Sequence, residues 1–233
     1  MNASLPLETL EARVCARYET ERLQLMLGEQ VFGLRVIRNL DALLDELLAR
    51  GEEDPAVQDE QIPYWADLWP SAIALGRHIL NDDRIGPGTR VLELGCGLGL
   101  SGTVAGYKGA EVILSDYLPE ALELAELTWR LNLEQPPRLE RLDWREPRPE
   151  LAADVLLASD VAYETRAHGP LEAAFRQLLR PEGYLLLSEP GRPQDHAWLQ
   201  SLPNKGFHIH TQTESVCFRN HPYTIYLHEI RLI

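Results

Sequence analysis

Cysteine is scarce in this chain of 233 residues: Cys15, Cys96 and Cys217 are scattered and odd in number. They make neither a disulfide frame nor a Cys-x-x-Cys metal pair. Histidine does not fill the gap. His208 and His210 would share one face of a strand, yet no nearby cysteine or carboxylate pattern completes a ligand set, so no metal is expected. Long apolar runs are missing too. No segment approaches about 18 apolar residues, and no basic stretch followed by an apolar one opens the chain. A membrane is therefore not an expected partner, and a cytoplasmic location is expected. Positive charge is outweighed, with 22 Lys and Arg against 36 Asp and Glu and a formal net charge of −14. That balance argues against nucleic acid as a partner, which would need a basic surface. It suits a basic partner, or solubility alone.

What the chain does hold is length enough for one large α/β domain with an N-terminal extension, and an ordinary hydrophobic content of 45%. It is organised around residues 90–102, Arg-Val-Leu-Glu-Leu-Gly-Cys-Gly-Leu-Gly-Leu-Ser-Gly. Val91, Leu92 and Leu94 read as a short buried strand. Glu93 interrupts it, and a carboxylate there needs a partner. Gly95, Gly97 and Gly99 remove three side chains in five residues, which permits positive φ and close approach of a ligand to the backbone. A helical pattern follows over about 98–108. Strand, glycine turn and helix form the nucleotide-side unit of a doubly wound sheet.

Spacing separates the ligand classes. A dinucleotide turn places glycine at its first, third and sixth positions. From Gly95 the sixth position is Leu100; from Gly97 it is Gly102, but the strand would then end in Gly-Cys. No Gly-Lys-Ser/Thr is present, which removes a phosphate loop. An acidic strand end suits a cationic or hydroxylated ligand better than a pyrophosphate.

The stretch Glu93-Leu-Gly-Cys-Gly-Leu-Gly99 resembles the first motif of the class I, seven-β-strand methyltransferases. The resemblance implies an α/β fold: a Rossmann-like seven-stranded sheet with helices on both faces. It also implies S-adenosyl-L-methionine as cofactor. Glu93, Gly95, Cys96, Gly97 and Gly99 would lie beneath its methionine part. Asp116, closing the next strand over 111–115, would accept from the two ribose hydroxyls, with Tyr117 beside it. Two vicinal donors do want one bidentate carboxylate. Further on, Leu142-Asp-Trp144 follows a short strand over 138–141. By the same resemblance Asp143 would bind the adenine amino group and Trp144 would pack against the ring; Trp144 as a plug of the sheet edge is the competing reading. Ser159 completes the expected cofactor site.

The N-terminal extension is expected over 1–61 and the methyltransferase domain over 62–233. Residues 5–17 read as a helix, with Leu7, Leu10 and Val14 recurring on one face. Alternation over about 21–37 suggests a hairpin turning at Gly28-Glu-Gln30; a continued helix is the runner-up. Asn39 can cap a helix over 41–48. Residues 52–61 form an acidic connector, five carboxylates in nine residues, expected to be mobile. Then comes Ile62-Pro-Tyr-Trp-Ala-Asp-Leu-Trp-Pro70, an aromatic segment before a helix over 71–79. It reads either as core or as a lid whose rings exclude water from a cationic centre. Helices are expected over 119–133, 168–179 and 194–202, and strands over 154–158, 184–188, 207–211 and 223–230. Pro181-Glu-Gly183 reads as a tight turn.

The segment containing Trp65 and Trp69 is similar to one in the branch of this family that methylates lysines in proteins. It would border both cofactor and acceptor. Asp160 and Tyr163, following the strand over 154–158, resemble the acidic-x-x-aromatic signature of the same branch. A carboxylate and a ring can hold an amine nitrogen beside a methyl group. The expected partner is thus a protein presenting a lysine, with Asp160, Tyr163 and Trp69 as catalytic residues: Asp160 to orient the amine, the rings to shape its channel. Glu189-Pro-Gly-Arg-Pro193 is similar to sequences in the enzymes that methylate the β subunit of electron-transfer flavoprotein. Arg192 there would orient Glu189 or clamp a substrate carbonyl. The chain departs from that type at Ala162, where a bulkier aromatic is usual, and at Glu189, where aspartate is. A small-molecule N- or O-methyltransferase with the same cofactor site is the alternative.

Overall fold

The computed structural model describes residues 5–233. Helix α1 (Leu7–Arg17) leads into strands β1 (Thr20–Leu27) and β2 (Gln30–Ile37), an antiparallel hairpin turning at Gly28 with φ 58°. Strand wins over helix because Phe32, Leu34 and Val36 bury alternate positions. The Asn39 carboxamide accepts from the Ala42 amide and caps α2 (Leu40–Leu48). A single turn capped by Asp54, α3 (Pro55–Gln58), lies within the acidic connector. A 3₁₀ turn, Pro63–Ala66, carries the aromatic segment into α4 (Pro70–Asn81), which starts on its proline.

The remaining elements are β3 (Arg90–Leu94), α5 (Leu100–Tyr107), β4 (Glu111–Asp116), α6 (Pro119–Asn132), β5 (Arg138–Arg141) and β6 (Ala153–Ser159). After them come α7 (His168–Leu178), β7 (Leu179–Glu189), α8 (Pro193–Ser201), β8 (Phe207–Phe218) and β9 (His221–Leu232). Seven strands form one sheet in the order β5-β4-β3-β6-β7-β9-β8. The first five are parallel, and β9 lies antiparallel between β7 and β8. The chain runs outward from β3 to β5, then returns to lay β6 against the other side of β3. At such a reversal the strand ends splay into a crevice.

Burial on both faces explains the nearly continuous apolar runs of β3 and β6. Val91, Val155, Leu157 and Leu186 face a layer made by α4, α5 and α6. Leu92, Leu94, Leu156, Leu185 and Leu187 face α7 and α8 through Leu171, Phe175 and Trp198. The N-terminal elements join the first layer: Leu10, Val14, Phe32 and Leu34 belong to the same apolar cluster. Asn132, at the end of α6, fixes the hairpin by accepting from the Gly33 amide at 2.8 Å and donating to the Gly33 carbonyl at 2.7 Å. Among the described residues, no helix is long and apolar enough to cross a membrane.

Three expectations change. Pro181-Glu-Gly183 is not a free turn before a strand but a bulge inside β7. Ala153 pairs with Leu179 and Val155 with Tyr184, so β7 carries three extra residues there, with Glu182 at φ 64° among them. The last two strands are twelve residues each, far longer than the apolar pattern indicates. Their outer parts are exposed, so pairing there leaves no hydrophobic signature. The acidic connector carries a capped turn and ion pairs to Arg145 and Arg166, and it lines the cavity.

Gly102 shows how tightly α5 is set on the sheet. A Cβ there would fall 2.2 Å from Leu114 Cδ2 and 2.7 Å from Glu93 Oε2. Gly102→Ala is expected to destabilise the fold by about 1–3 kcal/mol, read from urea unfolding; unchanged stability would show that the contact relaxes freely.

Candidate active site

Residues from the carboxyl ends of β3, β4, β5, β6 and β7, together with the aromatic segment, line a cavity of about 780 Å³. Its floor is the turn after β3. Gly95, Gly97 and Gly99 have φ of 61°, 50° and 71°, values that side chains resist. The turn is closed by Cys96 N–H donating to Ser115 O at 2.9 Å and Gly99 N–H donating to Cys96 O at 2.6 Å. A Cβ on Gly97 would lie 3.5 Å from the Trp65 carbonyl oxygen, so bare backbone lets the aromatic segment close over the turn.

Two carboxylates are buried here. Glu93, 2% exposed, accepts from the Gly102 amide at 3.0 Å. Burial, reinforced by Asp116, pushes its pKa up to about 8 against the opposing Gly102 hydrogen bond. Asp116 accepts from the Gly97 amide through Oδ2 and from the Leu118 amide through Oδ1, each at 3.0 Å. Burial raises its pKa as well, and that of Cys96. Glu93 therefore keeps its proton at neutral pH in the free protein. Because its folded value is raised from 4.5, the protein is expected to lose stability as pH rises from about 5 towards 8. The loss from this group is at most about 1.4 kcal/mol per pH unit. Glu93→Gln should flatten that slope in urea titrations at pH 5.5 and 8; an identical slope would place the titration elsewhere.

Beyond β5, Trp144 lies against the turn, its Cζ3 3.0 Å from where a Gly95 Cβ would stand. Asp143 shares Arg145 with Asp59: Arg145 Nε reaches both Asp143 oxygens at 2.9 Å, and its Nη1 reaches Asp59 Oδ1 at 2.6 Å. That hydrogen bond holds the Asp59 carboxyl below its usual range. Arg166, after β6, pairs with Glu60 at 3.1 Å. Gln61 donates to the Tyr117 hydroxyl at 3.4 Å. Thus Arg145 and Arg166 convert the connector into a side of the cavity.

At the opposite end sit the residues expected to handle an acceptor. Asp160 leaves β6 with φ 55°, its amide donating to Ser188 O at 2.8 Å. Its carboxylate is shared: Oδ1 accepts from Arg192 Nη1 and Oδ2 from the Ser71 hydroxyl at 3.4 Å. Tyr163 stands edge-on to Tyr64 at 5.3 Å between centroids, and Tyr64 edge-on to Trp69 at 5.8 Å. Trp69 Nε1 donates to Tyr64 O at 2.7 Å, so the aromatic corner is fixed by its own backbone. Burial, with Glu164 close by, raises the Tyr163 phenol, which stays protonated.

Of the residues singled out in the sequence, Trp65, Trp69, Glu93, Gly95, Cys96, Gly97, Asp116, Tyr117, Asp143, Trp144, Ser159, Asp160 and Tyr163 all line this one cavity. Gly99 does not. A Cβ there would meet Ala125 Cβ at 2.9 Å, so its role is close packing of the α5 start on α6 rather than ligand contact. Arg192 is tied to Asp160 by its guanidinium, whereas Glu189 holds the Arg192 backbone, so the Arg192 side chain does not orient Glu189. Arg145, Arg166 and Ser71 also border or brace the site and carried no local motif.

The site fits an adenosyl sulfonium ligand. It offers a side-chain-free turn, a protonated acid beside it, and a buried carboxylate already oriented by two amides. Ser159 Oγ, buried and without a hydrogen-bond partner among the described residues, points to a polar ligand as well.

Sheet order and site together define a class I methyltransferase fold. Magnesium protoporphyrin IX methyltransferase from Synechocystis PCC 6803, solved with bound SAM, has the same fold. The TM-score is 0.56 at 18% identity, over 99% of this chain and 100% of that one. A family profile described as lysine methyltransferase matches residues 57–205, and the chain belongs to that family. It is 35% identical over 136 residues to the electron transfer flavoprotein beta subunit lysine methyltransferase of Xenopus laevis, covering 57% of this chain and 54% of that protein. It is 37% identical over 103 residues to the human histone-arginine methyltransferase METTL23, covering 42% and 54%. The chain thus spans about half the length of the curated relatives it matches.

Proposed function

We propose that this chain transfers a methyl group from S-adenosylmethionine to a lysine side-chain amine of a protein. One observation carries the reading: the glycine turn, Asp116 and the Asp160–Tyr163 pair converge on a single cavity. The family and the relatives that methylate lysine in a protein support the acceptor class. When bound, the cofactor supplies an electrophilic methyl carbon, so that the N–C bond forms in line as the S–C bond breaks.

The chain's own residues bind, align and exclude water. Asp116 would take the ribose hydroxyls; Asp143 and Trp144 would flank the base. Trp69, Tyr64 and Tyr163 wall the acceptor end with rings and limit water there. A lysine amine must be neutral to react, against an ordinary pKa near 10.4. The apolar wall favours loss of that proton, which passes to solvent. Asp160 then accepts a hydrogen bond from the neutral amine and sets its direction, a matter of alignment rather than base catalysis.

Methyl-labelled cofactor incubated with the chain and a cell extract tests this. Label should enter protein and be recovered as methyl-lysine after hydrolysis. Label recovered only in metabolites would favour a small-molecule acceptor, and label in methyl-arginine would move the chain to the other relatives' chemistry.

A further inference from the structure

Resting on the reading of a lysine acceptor, we propose that Arg192 determines which protonation state of the amine the site admits. Its guanidinium cancels the charge of Asp160, so the amine enters uncharged.

A lone carboxylate at the acceptor end would work against the chemistry. It would hold the ammonium form and raise the pKa of the very nitrogen that must be deprotonated. In this chain the carboxylate is not alone. Arg192 Nη1 donates to Asp160 Oδ1, and both side chains line the cavity, 31% and 10% exposed. Among the described residues the other oxygen meets only the Ser71 hydroxyl, which is neutral. An acceptor oxygen thus remains for an amine N–H on a carboxylate whose charge the guanidinium offsets.

Arg192 is held from two sides. Glu189, at the end of β7 and 2% exposed, accepts from the Gly191 and Arg192 amides through Oε2, and its Oε1 lies 3.2 Å from His228 Nε2. His228 Nδ1 is in turn 2.8 Å from Thr211 Oγ1 on β8. This chain of contacts locks the loop. On the other side Asp195, wholly buried in α8, reaches Arg192 Nη1 at 3.5 Å and lies 3.7 Å from His168 Nε2. The charged or titratable groups that share the cavity with Asp160 include Arg192 after β7, Tyr163, Glu164 and Arg166 on its own loop, Tyr64 and Asp116, with Asp195 and Glu189 behind Arg192. Arg192 is the cation in direct contact with it. Arginine suits this post because its charge persists across the working pH range.

The test uses n-butylamine as a lysine side-chain probe on the protein saturated with S-adenosylhomocysteine, by calorimetry or NMR. For the unaltered protein, affinity should be weak at pH 7 and rise about tenfold per unit to pH 9, following the uncharged fraction. Arg192→Gln should bind butylammonium at least tenfold more tightly at pH 7, with little pH dependence. Asp160→Asn, which leaves Arg192 in place, should keep the rise of about tenfold per pH unit. Unchanged or weaker binding by folded Arg192→Gln would overturn the proposal, as would loss of that pH slope in Asp160→Asn. Should Arg192→Gln not fold, Asp160→Asn decides alone, because it leaves Arg192 in place. Failure to label any protein would reject the lysine acceptor and leave these affinities readable.

Discussion

Asp116→Ala is expected to raise the dissociation constant for S-adenosylmethionine by about a hundredfold to ten-thousandfold. The carboxylate is buried at the end of β4 and already accepts from the Gly97 and Leu118 amides. Those bonds fix its orientation before any ligand arrives, so little entropy is lost on binding. Each charge-assisted hydrogen bond to a ribose hydroxyl contributes about 1.5–3 kcal/mol. Losing two corresponds to that range of affinity. The alanine variant also leaves two amides short of an acceptor, so its thermal midpoint should fall. Asp116→Asn, which retains one carbonyl acceptor, should fold better and still bind at least tenfold more weakly. Calorimetry separates the two effects; near-normal affinity in a folded variant would assign the ribose to another group.

Asp160→Ala should leave cofactor affinity within about threefold and reduce the transfer rate at saturating cofactor by about a hundredfold or more. Misdirection of a nucleophile by an ångström has costs of that order. The change removes the hydrogen-bond acceptor that orients the amine. It also removes the nearer carboxylate from Arg192, leaving the more distant Asp195 as its ion-pair partner among the described residues. Single-turnover transfer to the labelled protein acceptor measures this. An unchanged rate would remove Asp160 from the reaction; a parallel loss of cofactor binding would make it part of the cofactor site.

The sequence carried the sheet's parallel half well, and the reason is burial. Strands β3 and β6 are covered on both faces, so their apolar runs are unbroken and their ends are marked by glycine or aspartate. The glycine turn was legible for a related reason: three positive φ values within five residues leave few other sequences able to form it. The far halves of β8 and β9 were not legible, because exposed strand pairing rests on backbone hydrogen bonds that any polar residue supports.

The site shows the same division. Residues that touch the cavity from a strand end had positional signals. Gly99 shared the signal of Gly95 and Gly97, yet it serves helix packing against Ala125, a distinction that only the third dimension makes. The acidic connector read as a self-repelling mobile run because its counter-charges, Arg145 and Arg166, lie 86 and 106 residues away in Asp59–Arg145 and Glu60–Arg166. Arg192 was noticed in its loop but matched to the wrong neighbour. Its backbone belongs with Glu189, three residues earlier, while its guanidinium crosses to Asp160 just beyond β6.

Everything argued for the acceptor depends on an adenosyl sulfonium occupying the corner between β3 and β4. The most direct measurement is a calorimetric titration of the purified chain with S-adenosylmethionine. One molecule should bind per chain, and binding should weaken sharply in Asp116→Ala. No detectable binding by the folded protein, or equal binding by both forms, would contradict the account.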